Sequence, residues 1–547
     1  MANGEGPRRV LARQGPLGPG RAVLLRLAEA AGASRPCPRP PPARGGAGPK
    51  ALFFKNLLES PGKESGAYLH QGVFYIASSL RLAGIPVVLA ELKIARFSEA
   101  DPAGREGLDL ALAENPDVNF IGLTLYDSCF EKASELLGYL RRRSRAFLAV
   151  GGLMPTLSPE ETLVHLPEAN FVVRGAGEEA VPRILKILGG SNLATGLGRA
   201  QEEALLDLEG VIFSDQERLI WAGAESILRV RDLDSSELDF SLLEKENVAS
   251  GLVLSLSRGC GYGCLFCTSM DKGRFSGKSP GGVARLLSAY GRRLLELHGR
   301  WSLVPPAAFG IGFYDDDFLA DPSRALAILR ILRRSPFHLR FLQTGINSLS
   351  RGKGLSREPD EEILDELGLA FASKGPWGGG GSRLYIGTEN FCDRELERLG
   401  KGYGYAEVER AALALSRSGI PQAHHFIAAN AETTREDVLE NLRRIAALRA
   451  LCGEPFRILE PVIPHLRSFY PTPSYRRLER RGLLSRVRLR GRLSVPGFPE
   501  YDYPLVERDV PEDPVAAGFA ERLGRAASVD WSAELDRMEE LAGAGVP

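Results

Sequence analysis

From residue 50 onward, short apolar runs bounded by turn residues alternate with longer stretches in which apolar positions recur every three or four residues. The first pattern marks strands buried on both faces, and the second marks amphipathic helices. Between residues 51 and 190 the strand-like runs are ALFFKNLL, PVVLAEL, VNFIGLTLY, AFLAVGG and NFVVRGAG, each followed by a helix-like stretch such as GVFYIASSLRLAG or FEKASELLGYLRRR. Five strands alternating with five helices predict an α/β fold, an open, doubly wound, Rossmann-like parallel sheet. GVIFSDQERLIWAG then reads as a hairpin, with Asp215 and Gln216 near its turn.

The rhythm resumes at LVLSLS and continues through AAFGIGFYDDDFL, LRFLQTGIN, SRLYIGTENF, QAHHFIAAN and FRILEPVIP. Six strands separated by helices predict an open parallel (β/α)6 barrel, a partial TIM barrel, with its site at the strand C-termini. The chain thus divides into an extension at 1–49, a Rossmann-like domain at 50–190, a connector at 191–250, a barrel at 251–465 and a mostly helical C-terminal extension at 466–547.

Composition narrows the function classes. The 547 residues carry 69 basic and 69 acidic side chains, so the overall balance points to neither a nucleic-acid nor a membrane surface. The sequence has no apolar run long enough for a membrane span. Seven Cys without paired spacing argue against a disulfide framework and for a reducing, cytoplasmic compartment. Residues 1–49 carry eight Arg against two Glu and end in a Pro- and Gly-rich string. They read as a disordered, dispensable tail, in which AVLLRLAEAAG could form a helix and Cys37 is a bystander.

The strongest chemical signal is LSRGCGYGCLFC, where Cys260, Cys264 and Cys267 form a C-x3-C-x2-C array on the loop after the first barrel strand. Three thiolates at this spacing can grip one metal centre. No fourth Cys is near, since the next is Cys392. A [4Fe-4S] cubane held by three Cys keeps one iron open to a small molecule. A zinc site completed by a distant His, or thiols that merely pack, are the alternatives.

This array, with Phe266 before its last Cys, resembles the cluster motif of the radical S-adenosylmethionine (radical SAM) superfamily. GGLMPTLSPEE and VVRGAGEEAVPRIL, in front of it, resemble the cobalamin-binding domain that precedes many such enzymes. That resemblance implies a [4Fe-4S] cluster, S-adenosylmethionine and cobalamin as cofactors. It assigns Thr124, Tyr126, Gly151, Gly152, Gly175, Gly177 and Glu178 to the corrinoid. The same loop glycines serve equally as tight strand-to-helix turns, with Glu178 and Glu179 charging a helix N-terminus. His70 is present without the D-x-H-x-x-G context, which implies a corrinoid lacking a His axial ligand, or a degenerate domain that binds none.

At the barrel mouth, Tyr314-Asp315-Asp316-Asp317 resembles the D-D-x-F version of the segment that meets the methionyl amino group. Phe266, Asp315, Asp316, Thr344, Asn347 and Glu389 are the expected S-adenosylmethionine contacts, with turn and cap roles competing for the acids. An ion pair between Glu389 and Lys401 competes for Glu389. His424 and His425 alternate sides, so one at most faces the barrel. The implied reaction is reductive cleavage of S-adenosylmethionine to a 5′-deoxyadenosyl radical, then cobalamin-dependent methylation of an unactivated carbon on a small molecule or peptide. An electron donor such as flavodoxin or ferredoxin would feed the cluster. A radical cyclisation or rearrangement, or a non-catalytic electron-transfer protein, are the alternatives.

Overall fold

The apolar runs after residue 50 pair into a parallel sheet. The structure, a computed structural model, describes residues 23–26, 48–54, 70–92, 97–126, 130–214, 218–222, 227–230, 232–351, 358–372, 382–485 and 506–543. These fall into two compact units, one mostly before residue 248 and one mostly after it.

In the first unit the strands are β1 (Val23–Arg26), β2 (Ala51–Phe54), β3 (Val87–Ala90), β4 (Phe120–Thr124), β5 (Phe147–Gly151), β6 (Phe171–Val173), β7 (Val211–Ser214) and β8 (Arg218–Ala222). Their order is β1-β8-β7-β6-β5-β4-β2-β3. The pairs among β3, β2, β4, β5 and β6 are parallel, which is the doubly wound arrangement with its topological switch point between β2 and β4. All four residues of β2 are buried, and ring contacts at 5.0–6.2 Å link Phe53, Phe120, Phe171 and Phe213 through the core. Strands covered on both faces read as continuous apolar runs, which is why the sequence pattern found them.

The connector hairpin forms as β7 and β8 but extends this sheet antiparallel to β6 instead of standing apart. The AVLLRLAEAAG helix expectation is corrected: Val23–Arg26 is a strand paired antiparallel with β8. The edge backbone of β8 offers hydrogen bonds that a four-residue apolar run takes more readily than it nucleates a helix. Residues 27–47 with Cys37, 55–58 of the first apolar run, and Asp215 and Gln216 lie outside the described residues.

The second unit holds β9 (Leu252–Leu254), the short pair β10 (Ser257–Arg258) and β11 (Ser276–Gly277), then β12 (Gly310–Phe313), β13 (His338–Thr344), the pair β14 (Ser350–Arg351) and β15 (Glu358–Pro359), β16 (Arg383–Glu389), β17 (Gln422–Phe426) and β18 (Phe456–Ile458). Six of them form one parallel sheet in the order β9-β12-β13-β16-β17-β18, with β9 and β18 left as its two edges. This is the open six-stranded barrel. Helices end where capping residues stand: Ser279 accepts Gly282 N–H at 3.0 Å ahead of helix Pro280–His298, and Gly299 at φ 79° stops it.

The C-terminal extension adds a feature the helical expectation lacked. β19 (Leu466–Phe469) pairs antiparallel with β20 (Val506–Asp509), alongside helices Pro473–Arg481, Pro514–Arg525 and Trp531–Gly543. No helix among the described residues is long and apolar enough to cross a membrane.

Candidate cofactor sites

Leaving β9, the chain enters the cysteine loop, whose two arms are closed by the β10–β11 pair. Cys260, Cys264 and Cys267 are all free thiols, Cys264 buried and the others half-buried. The loop is held by its own backbone: Cys267 N–H donates to Cys264 O at 3.3 Å, Gly273 N–H to Cys260 O at 2.8 Å, and Lys272 Nζ to Cys264 O at 3.0 Å. Ser269 N–H points at Cys267 Sγ, 3.3 Å away. Burial, with Asp317, Cys264 and Asp316 acting the same way, pushes the Cys260 thiol up to about 12, and burial also raises Cys267. Such thiols ionise only when a cationic centre compensates them. Cys392 belongs elsewhere, buried with its thiol toward Asp437 Oδ1 at 3.5 Å and Glu440 Oε2 at 3.4 Å. Among the described residues no three His, Cys, Asp or Glu side chains close on a single ion, so the fit rests on the donor chemistry: three thiols from one loop, as three corners of a cubane take, with no fourth.

The acidic triplet at the end of β12 divides its work. Asp315 is buried and accepts Ser257 N–H at 2.6 Å, while its other oxygen has no partner; burial raises it to about 6 against the pull of Arg324. Asp316 is exposed and accepts Gly259 N–H at 3.2 Å and Ser269 Oγ–H at 2.9 Å. Asp317 is buried and accepts Thr344 Oγ1–H at 2.7 Å and Ser348 Oγ–H at 2.6 Å. Thr344 is thereby occupied, whereas Asn347 Oδ1 is buried with no partner.

At the end of β16, Glu389 has φ 68°, the one positive value for a non-glycine among the described residues. Its Oε1 stands 3.8 Å from Lys401 Nζ, with both side chains largely buried. Burial opposes the Lys401 charge, yet Tyr403, Glu389 and Cys264 around it more than offset this and hold the ammonium above its usual range. Lys401 also lies 5.9 Å over the Phe266 ring. The Glu389–Lys401 ion pair foreseen as a competitor is therefore present, and it joins the strand mouth to the cysteine loop.

His424 and His425 face opposite ways. His424 is fully buried between Thr388 Oγ1 at 2.6 Å and Gln422 Oε1 at 2.8 Å, and burial lowers it to about 3. His425 ends a chain of rings, Tyr314–Phe341 at 5.3 Å, Phe341–Tyr385 at 5.4 Å and Tyr385–His425 at 6.2 Å, which crosses four strands. This aromatic wall went unrecognised in the sequence, where its only trace is one ring per strand at alternating positions. Asn430 is taken up by Glu395 and the Thr433 turn.

In the first unit, Thr124, Tyr126, Gly151, Gly152, Gly175, Gly177 and Glu178 all lie at the carboxyl ends of β4, β5 and β6. Tyr126 Oη is 2.6 Å from His70 Nε2, beside the switch point. Burial lowers His70 to about 4, leaving it neutral, and its Nδ1 is buried without a partner. Two of the glycines are required by the chain itself. Gly152 has φ 97°, and a Cβ there would lie 2.9 Å from Leu125 O; Gly175 has φ 87°, and a Cβ would lie 2.2 Å from Leu228 O. Glu178 and Glu179 stand in the first turn of helix Gly177–Leu188.

A B12 binding domain model matches residues 65–185. The chain also superposes on the cobalamin-dependent S-adenosylmethionine radical enzyme OxsB with aqua-cobalamin and S-adenosylmethionine bound, at TM-score 0.62 and 16% identity over 90% of this chain and 71% of that one. The chain has a B12-binding domain and the fold of cobalamin-dependent radical SAM enzymes. The radical SAM methyltransferase TsrM from Kitasatospora setae, solved with cobalamin and a [4Fe-4S] cluster, gives a TM-score of 0.59 at 15% identity, covering 89% of each chain. In sequence, an uncharacterised methyltransferase of Pyrococcus horikoshii is 26% identical over 329 residues, 59% of this chain and 62% of its own. An anaerobic magnesium-protoporphyrin IX monomethyl ester cyclase of Cereibacter sphaeroides is 24% identical over 390 residues, 68% of this chain and 58% of its own. The chain thus spans less than two thirds of the length of these curated relatives.

The residues of the B12-binding unit fit a corrinoid at the level of architecture, a parallel sheet with glycine-bearing loops at its carboxyl ends, while His70, its Nε2 held by Tyr126 Oη, stands beside the switch point as a neutral, half-buried side chain. In the second unit, the sequence showed Lys401 only as a counter-ion and gave no signal for Tyr403, whose hydroxyl donates to Gly387 O at 2.9 Å and so fixes the strand end that carries Glu389.

Proposed function

We propose that the protein is a radical SAM enzyme that uses cobalamin to methylate an unactivated carbon of a small-molecule or peptide substrate. The observation that carries this reading is the cysteine loop: three free thiols with no fourth cysteine in the loop, opening at a barrel mouth where Glu389, Lys401 and Phe266 converge. Cys260, Cys264 and Cys267 would hold a [4Fe-4S] cluster with one iron open. When bound, the cluster, S-adenosylmethionine and cobalamin supply the one-electron cleavage, hydrogen-atom abstraction and methyl transfer.

The chain's own residues bind and shield. Glu389 would accept ribose hydroxyls, with Lys401 as its counter-charge when no ligand is bound. Asn347 Oδ1, buried and unpartnered, is an acceptor in want of a donor, which the bound S-adenosylmethionine would provide. The aromatic wall of Tyr314, Phe341, Tyr385 and His425 offers an uncharged surface for substrate and helps exclude water. Loops bearing Thr124, Tyr126, Gly151, Gly152, Gly175, Gly177 and Glu178 would seat the corrinoid. A low-potential donor such as flavodoxin or ferredoxin would reduce the cluster, in a reducing, cytoplasmic setting.

The cyclase relatives favour one second reading, a radical ring closure. Incubating the anaerobically reconstituted protein with S-adenosylmethionine, a reductant and candidate substrates tests both. Release of 5′-deoxyadenosine with a product heavier by one methylene unit supports methylation. A product lighter by two hydrogens supports ring closure, and no 5′-deoxyadenosine from a cluster-loaded protein defeats both.

A further inference from the structure

The three carboxylates after β12 stand where a methionyl ligand was expected, yet each faces its own chain. Asp315 holds Ser257 N–H and lies near Arg324, whose Nε and Nη2 donate to Lys278 O and Leu256 O at 2.8 and 2.9 Å. Asp317 holds Thr344 and Ser348. Asp316 lies between these two and has a different task. One of its oxygens, Oδ2, accepts from Gly259 N–H at 3.2 Å and from Ser269 Oγ–H at 2.9 Å. Gly259 immediately precedes Cys260 and Ser269 follows Cys267 by two residues, so a single oxygen pins both ends of the cysteine loop. Gly259 must be glycine for this: at φ 86°, a Cβ would stand 2.3 Å from Arg274 O and 2.7 Å from Asp271 O.

The contact continues inward. Ser269, held by Asp316 through its hydroxyl, turns its N–H onto Cys267 Sγ at 3.3 Å. A fixed N–H at a ligating sulfur and a fixed negative charge beside it are two of the levers by which a protein sets the potential of an iron–sulfur centre.

We propose that Asp316 is a positioning residue, a clasp that closes the cysteine loop and, through Ser269, orients the hydrogen bond to Cys267 Sγ, thereby setting the reduction potential of the centre held there without touching S-adenosylmethionine. The proposal rests on the cluster reading above. The Asp316 carboxylate opposes the arrival of an electron, while the Ser269 N–H stabilises the sulfur's negative charge. Asp316→Asn keeps an acceptor oxygen but removes the charge. Ser269→Ala keeps the charge but cuts the link between clasp and sulfur.

The experiment uses the full chain with either substitution. In the metal-free protein, the rate at which iodoacetamide alkylates each cysteine is followed by mass spectrometry. In the protein reconstituted with iron and sulfide, the midpoint potential is titrated by electron paramagnetic resonance, and S-adenosylmethionine affinity is measured by equilibrium dialysis. The clasp predicts that Ser269→Ala lowers the alkylation rate of Cys267 several-fold, because the thiolate loses its fixed N–H donor, while leaving Cys392 unchanged. It predicts that Asp316→Asn shifts the reduced-to-oxidised ratio about tenfold toward the reduced form at a fixed potential, equivalent to ~59 mV for one electron, with S-adenosylmethionine affinity within about twofold of wild type. An unchanged potential together with a tenfold loss of affinity would make Asp316 a cofactor ligand and overturn the proposal. Unchanged Cys267 alkylation in Ser269→Ala overturns it as well, and that readout needs no metal. Failure of the wild-type chain to take up iron would instead sink the cluster reading.

Discussion

Glu389 sits in a backbone conformation that side chains avoid, and the way it is held there gives a sharp test of its role. A residue with a Cβ pays about 1–2 kcal/mol in the left-handed region, and glycine's extra freedom in the unfolded chain takes back about 0.4–1 kcal/mol. Glu389→Gly should therefore be more stable than Glu389→Ala by about 1 kcal/mol. Lys401, 3.8 Å away, loses its counter-charge equally in both variants, so that larger effect cancels in the comparison. For a unit of roughly 280 residues, the difference amounts to about 2 °C in the midpoint of its thermal transition. If Glu389 is kept at φ 68° to accept hydrogen bonds from ligand hydroxyls, both variants should also bind S-adenosylmethionine about tenfold to a hundredfold more weakly, the loss of one or two hydrogen bonds to a charged acceptor. Differential scanning calorimetry gives the first quantity and equilibrium dialysis the second. Glycine no more stable than alanine would show that the strain is not at this residue. Unchanged affinity in both would refute the binding role, leaving the ion pair as a purely structural contact.

Further expectations follow from other parts of the molecule. Cys260→Ala, Cys264→Ala or Cys267→Ala should each abolish iron retention after reconstitution, whereas Cys392→Ala should retain it, because that thiol is engaged with Asp437 and Glu440. Gly175→Ala should destabilise the B12-binding unit by about 3 kcal/mol in denaturant unfolding, since it combines a left-handed φ with loss of the Ala176–Leu228 and Leu228–Arg174 backbone hydrogen bonds. His424, whose folded value of about 3 lies below its unfolded value of 6.5, favours the folded state only while neutral. Its contribution is complete above pH 6.5 and is lost as pH falls toward 3, by up to about 5 kcal/mol, so His424→Gln should flatten the acid limb of a stability-versus-pH curve. If cobalt takes no lower ligand from His70, whose Nε2 is occupied by Tyr126 Oη, then His70→Ala should leave the spectrum of bound cobalamin unchanged.

The two sheets were legible because their strands are covered on both faces, so that FIGLT or FLAVG reads as an unbroken apolar run. The alternation of His424 and His425 was equally readable, since side-chain period in a strand is fixed. Val23–Arg26 was misread because its pairing with β8 is a tertiary event absent from local propensity. The acidic triplet was found but could not be divided among its members. Which of Asp315, Asp316 and Asp317 turns inward depends on the irregular chain after β12 and on partners as distant as Ser348. The strain at Glu389 likewise leaves no trace in composition, because nothing in TEN marks a left-handed residue.

Cofactor content is the most direct test of a two-cofactor enzyme. Anaerobic reconstitution of the full chain with iron, sulfide and hydroxocobalamin, followed by desalting, metal analysis and an ultraviolet-visible spectrum, should yield about four irons and one cobalt per chain, with iron lost in Cys264→Ala and cobalt kept. Zinc in place of iron, or iron retained by the Cys264→Ala variant, would contradict it.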